Sequence, residues 1–205
     1  MSSEAPECLI VAGPNGGGKS TVFQALLEHG ELPADLQYIN TDENFRTLRS
    51  SDERASEIAA ARVSIEQLDA AIVERRNFAF ETTLSSRHSI RTISKARAAG
   101  YRVGLLYVIL QKVELHNARI RTRVALGGHF VSQVDVARRY RTSLKNLADN
   151  LEIFDEGCVI DNSGAGALRR IIGISAGHIS RLADFDENLT FDRELWKRLA
   201  ESGSK

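Results

Sequence analysis

The chain has 205 residues, 42% of them hydrophobic, and 27 basic side chains balance 27 acidic ones. That is enough apolar material for a core, while the absence of an apolar run of about 18 or more residues excludes a membrane-spanning helix. Two cysteines, Cys8 and Cys158, exclude a disulfide framework and have no metal-ligand spacing, and the polar start of the chain lacks the basic and apolar regions of a secretory signal, so a cytoplasmic location is expected.

In chain order, residues 8–12 (CLIVA) predict a buried strand, and residues 19–29 a helix on the spacing of Val22, Phe23, Leu26 and Leu27, stopped by Gly30. Residues 36–40 predict a second strand. Residues 52–75 predict a long alanine-rich helix with Ile58, Val63, Ile65, Leu68 and Ile72 along it. Residues 77–82 form a third strand and 89–99 a helix ended by Gly100. Residues 102–110 are nearly continuous in apolar side chains and predict a strand buried on both faces. Two helices, 114–126 and 133–147, flank the stretch GGHFVS. Late strands are expected at 152–161 and 169–175, and a terminal helix at 190–200. Strands alternating with helices predict one α/β domain over residues 1–205, a three-layer α/β/α arrangement around a mostly parallel sheet.

The sequence GPNGGGKST at residues 13–21 follows the first strand and opens the first helix, and it satisfies GxxxxGK[ST], the phosphate-binding loop. Each residue type has its reason. Gly13, Pro14, Asn15, Gly16, Gly17 and Gly18 form a loop whose backbone N–H groups can turn around a phosphate, the more readily where no Cβ intervenes. The helix N-terminus adds partial positive charge. Lys19 can reach the β- and γ-phosphates, the Ser20 hydroxyl can bind Mg²⁺, and Thr21 can reach an outer phosphate. A nucleoside triphosphate is therefore expected. No NKxD pattern reads guanine, so ATP is favoured, with Asn162 in CVIDNS near the base edge.

Phosphoryl transfer further needs a group to orient or deprotonate the acceptor and positive charge on the transferring phosphoryl. Asp42, in YINTDENF, follows the second strand. It can serve as base, as a carboxylate near Mg²⁺, or as a helix cap. Glu81 and Thr82 end the third strand at the same sheet edge, where Glu81 can meet substrate or the metal's water shell, or else form an ion pair. Residues 87–145 hold thirteen of the basic side chains against two acids, Glu114 and Asp135. Within them Arg119 and Arg123 share a helix face, Arg138, Arg139 and Arg141 follow, and Gly127-Gly128 makes a turn between. This predicts an arginine-bearing lid over about residues 112–145 that closes on the triphosphate and excludes water. Arg119 and Arg123 are expected on the γ-phosphate and Arg139 beside the substrate, with surface pairing of Arg138 or Arg139 to Asp135 or Asp149 as the rival, and His129 at the lid tip either touches the substrate or is a solvated loop residue.

GPNGGGKST, INTD, FETTLSS, AGYRVGLLYVIL, RIRTRVALGGHFVSQVDVARRYRTSLKNL and DNS together resemble the zeta-toxin family of P-loop kinases over residues 8–163. The resemblance implies a P-loop kinase fold using ATP and Mg²⁺, with the 3′-hydroxyl of UDP-N-acetylglucosamine as phosphate acceptor and a small helical antitoxin as partner. It assigns Asp42 as catalytic aspartate, Lys19 as phosphate-loop lysine, Glu81 as a substrate-side acid and Arg119 or Arg123 as a phosphate-binding arginine. Ser132 departs from the proline that many short members carry, and the chain is short beside the long toxins, whose extra C-terminal region helps form the sugar-nucleotide site. Other acceptors on the same machinery are an antibiotic, another sugar or a polynucleotide end, the last being the weakest. Outside that class stand an ATP-binding toxin–antitoxin interaction module and an ATP-driven switch.

Overall fold

The computed structural model describes residues 5–48, 50–128, 130–164 and 168–202. Five parallel strands, β1 (Glu7–Ala12), β2 (Gln37–Ile39), β3 (Phe78–Thr82), β4 (Arg102–Ile109) and β5 (Glu156–Asp161), are extended by an antiparallel pair, β6 (Arg169–Ser175) and β7 (His178–Arg181). The order across the sheet is β2-β3-β1-β4-β5-β6-β7. Chain order therefore reverses direction around β1, and the crevice at the carboxyl ends of such strands is where an open α/β sheet binds ligands.

Helices α3 (Glu53–Val73), α4 (Arg87–Ala98), α6 (Gln133–Asp149) and α7 (Thr190–Ser202) share one apolar core with the sheet. Strand alternation decides which side chains enter it: Cys8, Ile10 and Ala12 of β1 meet Leu68, Ile93, Leu147 and Leu195 of those helices. The opposite residue of β1, Val11, packs with Val22, Phe23 and Leu26 of α1 (Lys19–Glu28). Strand β4 carries both sets, since Leu105, Tyr107 and Ile109 join the first core and Leu106 and Val108 the second. Its continuous apolar sequence is explained by helices on both faces.

Besides the unexpected β7, two elements depart from the sequence pattern. Residues 41–48 form α2 (Thr41–Leu48), a short charged helix with a single buried apolar side chain, Phe45. It docks on α3 through small polar groups. Thr41 and Asn44 both donate to Ser64 Oγ, at 3.0 and 2.9 Å, and Asn44 also donates to Gln67 at 2.9 Å. The face of α3 turned inward is accordingly Ser56, Ala60, Ser64, Leu68 and Ala71, while Ile58 and Ile65, expected along its apolar side, are 60% and 42% exposed. Close helix approach needs small side chains, and this requirement outweighs the burial of two isoleucines. The other departure is at residues 152–161, where the strand begins only at Glu156, after a short 3-10 turn over 151–153.

Helices α5 (Val113–Ala125) and α6 share a small core of Ile120, Val136 and, from the connection between them, Val131. Ser132 caps α6: its hydroxyl accepts from the Asp135 N–H at 3.1 Å. The departure from proline at that position thus supplies a side-chain cap. Among the described residues no helix is long and apolar enough to cross a membrane.

Candidate active site

A cavity of about 1110 Å³ opens along the carboxyl edge of the sheet, and its wall takes residues from the loops after β1, β2, β3 and β5 and from α5 and α6. The phosphate loop forms one side. Gly13 has φ +132°, and a Cβ there would stand 2.0 Å from the Val108 carbonyl oxygen of β4. Gly16 has φ +76°, and a Cβ would meet the His116 carbonyl at 2.6 Å. These glycines are needed first because β4 and α5 press on the loop from behind, before any phosphate is considered.

Lys19 opens α1 and is 6% exposed. Its ammonium is 3.6 Å from Glu81 Oε1 and 3.4 Å from the Pro14 carbonyl oxygen, which accepts from it. Glu81 Oε2 accepts from the Tyr38 hydroxyl and, at 3.2 Å, from Asn40 Nδ2. Burial, reinforced by the negative charge of Glu81, raises the Tyr38 phenol well above its ordinary range, so Tyr38 stays a donor. Glu81 is thus an ion-paired carboxylate beneath the loop lysine. Thr82 also lines the cavity, but its hydroxyl is engaged locally, 2.7 Å from Ser89 Oγ and accepting from the Leu84 N–H at 3.1 Å. Ser20 and Thr21 lie exposed on the cavity wall.

Asp42 sits in the first turn of α2 and faces the cavity. The capping role falls to Asn40, whose Oδ1 accepts from the Asp42 N–H at 2.9 Å. The Asp42 carboxylate is left to Arg123, whose Nη1 donates to Oδ2 at 3.3 Å. Arg119, four residues earlier on α5, is placed differently. Its Nη2 donates to the Asn162 carbonyl at 2.6 Å and its Nη1 to the Gly17 carbonyl at 3.4 Å. Asn162 in turn donates from Nδ2 to Gly17 at 2.9 Å. Arg119 and Asn162 therefore brace the phosphate loop, and the Asn162 amide is directed at the loop backbone. Arg139 lines the cavity and donates to Asn15 Oδ1 at 3.1 Å, while Arg138 points away and pairs with Asp135 at 2.8 Å. His129 lies outside the described residues.

Behind Asn162, Asp161 is 2% exposed and is held by Gln111, Ser163 and Arg169, and Arg169 also binds the fully buried Asp192 of α7 at 2.6 Å. The sequence pattern pointed to neither this network nor His116, Asn40 and Tyr38. For His116 a signal was present, because positions 116, 119 and 123 fall on one helical face.

The sequence model of the zeta toxin family matches residues 1–168. The chain belongs to the zeta toxin family of P-loop kinases. One relative of this family member, a Haemophilus influenzae protein without a functional name, is 32% identical over 134 residues, covering 65% of this chain and 92% of that one. Among solved structures, one from the PezAT chromosomal toxin–antitoxin system of Streptococcus pneumoniae superposes with a TM-score of 0.61 at 17% identity, over 100% of this chain and 90% of that one. The AvrRxo1-ORF1:ORF2 structure with ATP gives a TM-score of 0.64 at 14% identity, over 95% of this chain and 63% of that one. At these identities the two structures speak for the mixed α/β fold with its mostly parallel sheet.

Proposed function

We propose that this zeta-toxin-family chain transfers the γ-phosphoryl group of ATP to a hydroxyl of a small molecule. The observation that carries the reading is the single cavity in which the phosphate loop and Lys19 face Asp42 and Arg123. The loop N–H groups, the α1 N-terminus and Lys19 hold the β- and γ-phosphates. Asp42 accepts the acceptor's hydroxyl proton as its oxygen bonds to the γ-phosphorus, and the bond from that phosphorus to the bridging oxygen of ADP breaks. Arg123 moves from Asp42 to the transferring group and offsets its charge. Glu81 positions Lys19, and Arg119 with Asn162 positions Gly17. Helices α5 and α6 act as the lid.

Mg²⁺ fits this donor set. Ser20 offers a hydroxyl on the cavity wall beside the phosphate loop, and Mg²⁺ commonly takes one or two protein oxygens beside phosphates and water. When bound it supplies charge neutralisation on the phosphates. Among the described residues no cluster of three or more His, Cys, Asp or Glu side chains offers an all-protein cage.

The acceptor proposed is the 3′-hydroxyl of UDP-N-acetylglucosamine, supported by family membership, and a small helical antitoxin is the proposed partner, supported by the likeness to a protein of a toxin–antitoxin system. Phosphorus NMR of the chain with Mg-ATP and UDP-N-acetylglucosamine tests both the reaction and the acceptor. A new sugar-phosphate resonance that is lost in Asp42→Asn is expected. Release of free phosphate alone would detach the chain from this acceptor and turn the search to other hydroxyl compounds.

A further inference from the structure

His116 is fully buried on the inner face of α5, yet none of the chemistry above uses it. Its ring lies between two backbone groups of opposite character. Nδ1 is 2.8 Å from the Asn15 carbonyl oxygen in the phosphate loop, and the Leu110 N–H at the end of β4 points to Nε2 at 3.2 Å. A carbonyl only accepts and an amide N–H only donates. The two partners together therefore fix one form of the ring, neutral with its proton on Nδ1. Burial favours the same form, pushing the ring's pKa down to about 4. Tyr140 of α6 packs edge-on against the ring at 5.4 Å and its hydroxyl donates to the Leu110 carbonyl at 3.4 Å.

The Asn15 end matters most. Its backbone carbonyl is held by α5 through His116, and its side-chain oxygen by α6 through Arg139. In a trans peptide the carbonyl and the following N–H point in opposite directions. A hydrogen bond that turns the Asn15 carbonyl toward α5 turns the Gly16 N–H away from it, and Gly16 lines the cavity. We infer that His116 is a positioning residue that orients the Asn15–Gly16 peptide for phosphate and locks the loop to the helices carrying Arg119, Arg123 and Arg139. This rests on reading the loop as a nucleoside triphosphate site.

The test is calorimetric titration of the full chain with Mg-ATP, comparing wild type, His116→Phe and His116→Gln, with melting temperatures recorded alongside. Phenylalanine keeps the volume and the packing on Tyr140 but removes both hydrogen bonds, and is expected to weaken ATP binding by about 10- to 100-fold. Glutamine offers a donor and an acceptor on one side chain and is expected to recover most of that loss. Wild-type affinity in His116→Phe, or equal weakness in both variants, would overturn the inference. A folded wild-type chain that bound no ATP would instead sink the nucleotide reading itself. Should His116→Phe fail to fold, the imidazole nitrogen-15 spectrum of the wild type decides: a proton on Nδ1 is expected, and a proton on Nε2 overturns the assignment.

Discussion

Asp42 and Arg123, 81 residues apart in the chain, form an ion pair at 3.3 Å across the mouth of the phosphate loop. The proposed base and the cation nearest to it thus neutralise each other until a more strongly charged ligand arrives. In the proposed reaction, binding of the triphosphate would free the carboxylate by drawing the guanidinium away.

Asp42→Asn should leave ATP affinity within about threefold, since the amide keeps the shape and capping is the work of Asn40. Turnover should fall by about 10²- to 10⁴-fold, the usual range for loss of a general base. Calorimetry and phosphorus NMR on the same preparation give both numbers, and retained turnover would remove Asp42 from the role of base.

The two arginines of α5 should separate. Arg123→Ala is expected to lower kcat by about 10³-fold with little change in the KM for ATP, as a cation acting on the transferring group does. Arg119 grips the carbonyls of Gly17 and Asn162, so Arg119→Ala should act mainly on ATP binding. Steady-state kinetics with varied ATP distinguishes the two patterns, and a matching kcat loss in Arg119→Ala would place both on the γ-phosphate.

How much of this was legible beforehand differs by element. The phosphate loop, the buried β4 and the arginine face of α5 announce themselves because each rests on a local pattern. Helix α2 does not, since its apolar face is only Phe45 and Leu48 in about two turns, too short to stand out as a repeat, and the helix is held by hydrogen bonds to Ser64, 20 and more residues away. The inward face of α3 was misread for the same reason: its small residues matter only once α2 is beside them. The partners of Glu81 and His116 were invisible because the Glu81–Tyr38 contact depends on β2 lying beside β3, and the His116–Asn15 contact on α5 packing behind a loop 101 residues earlier in the chain.

Arg169→Met should be costly for stability. It leaves the Asp161 and Asp192 carboxylates, 2% and 0% exposed, without their shared cation, and loss of one partner from a buried ion pair costs about 3–5 kcal/mol. Urea unfolding followed by circular dichroism measures it. A loss below about 1 kcal/mol would mean that the network is surface-like in strength.

Acid sensitivity should trace to His116. Unfolded, its ring takes a proton near pH 6.5; folded, burial holds protonation off until about 4. Over that window the unfolded state binds more protons, so stability falls as the pH falls. From pH 7 to 4.5 the wild type should lose about 2–3 kcal/mol more than His116→Gln does. Parallel pH profiles for the two proteins would show that the histidine is not held neutral.

Gly13→Ala should destabilise the fold as well as the site. Its Cβ would fall 2.0 Å from a backbone oxygen of β4, a contact that no rotamer relieves, and about 2–4 kcal/mol is expected by urea unfolding.

The family match ends at residue 168, and Arg169 is the next residue in the chain. That side chain spans the boundary, with one hand on Asp161 beside the phosphate loop's brace and the other on Asp192 of α7, whose neighbours Leu195 and Leu199 lie in the main core. A shortened version cut where the family sequence model stops would therefore lose part of its foundation. In this protein the border drawn by the family sequence model and the border of the packed core are different lines.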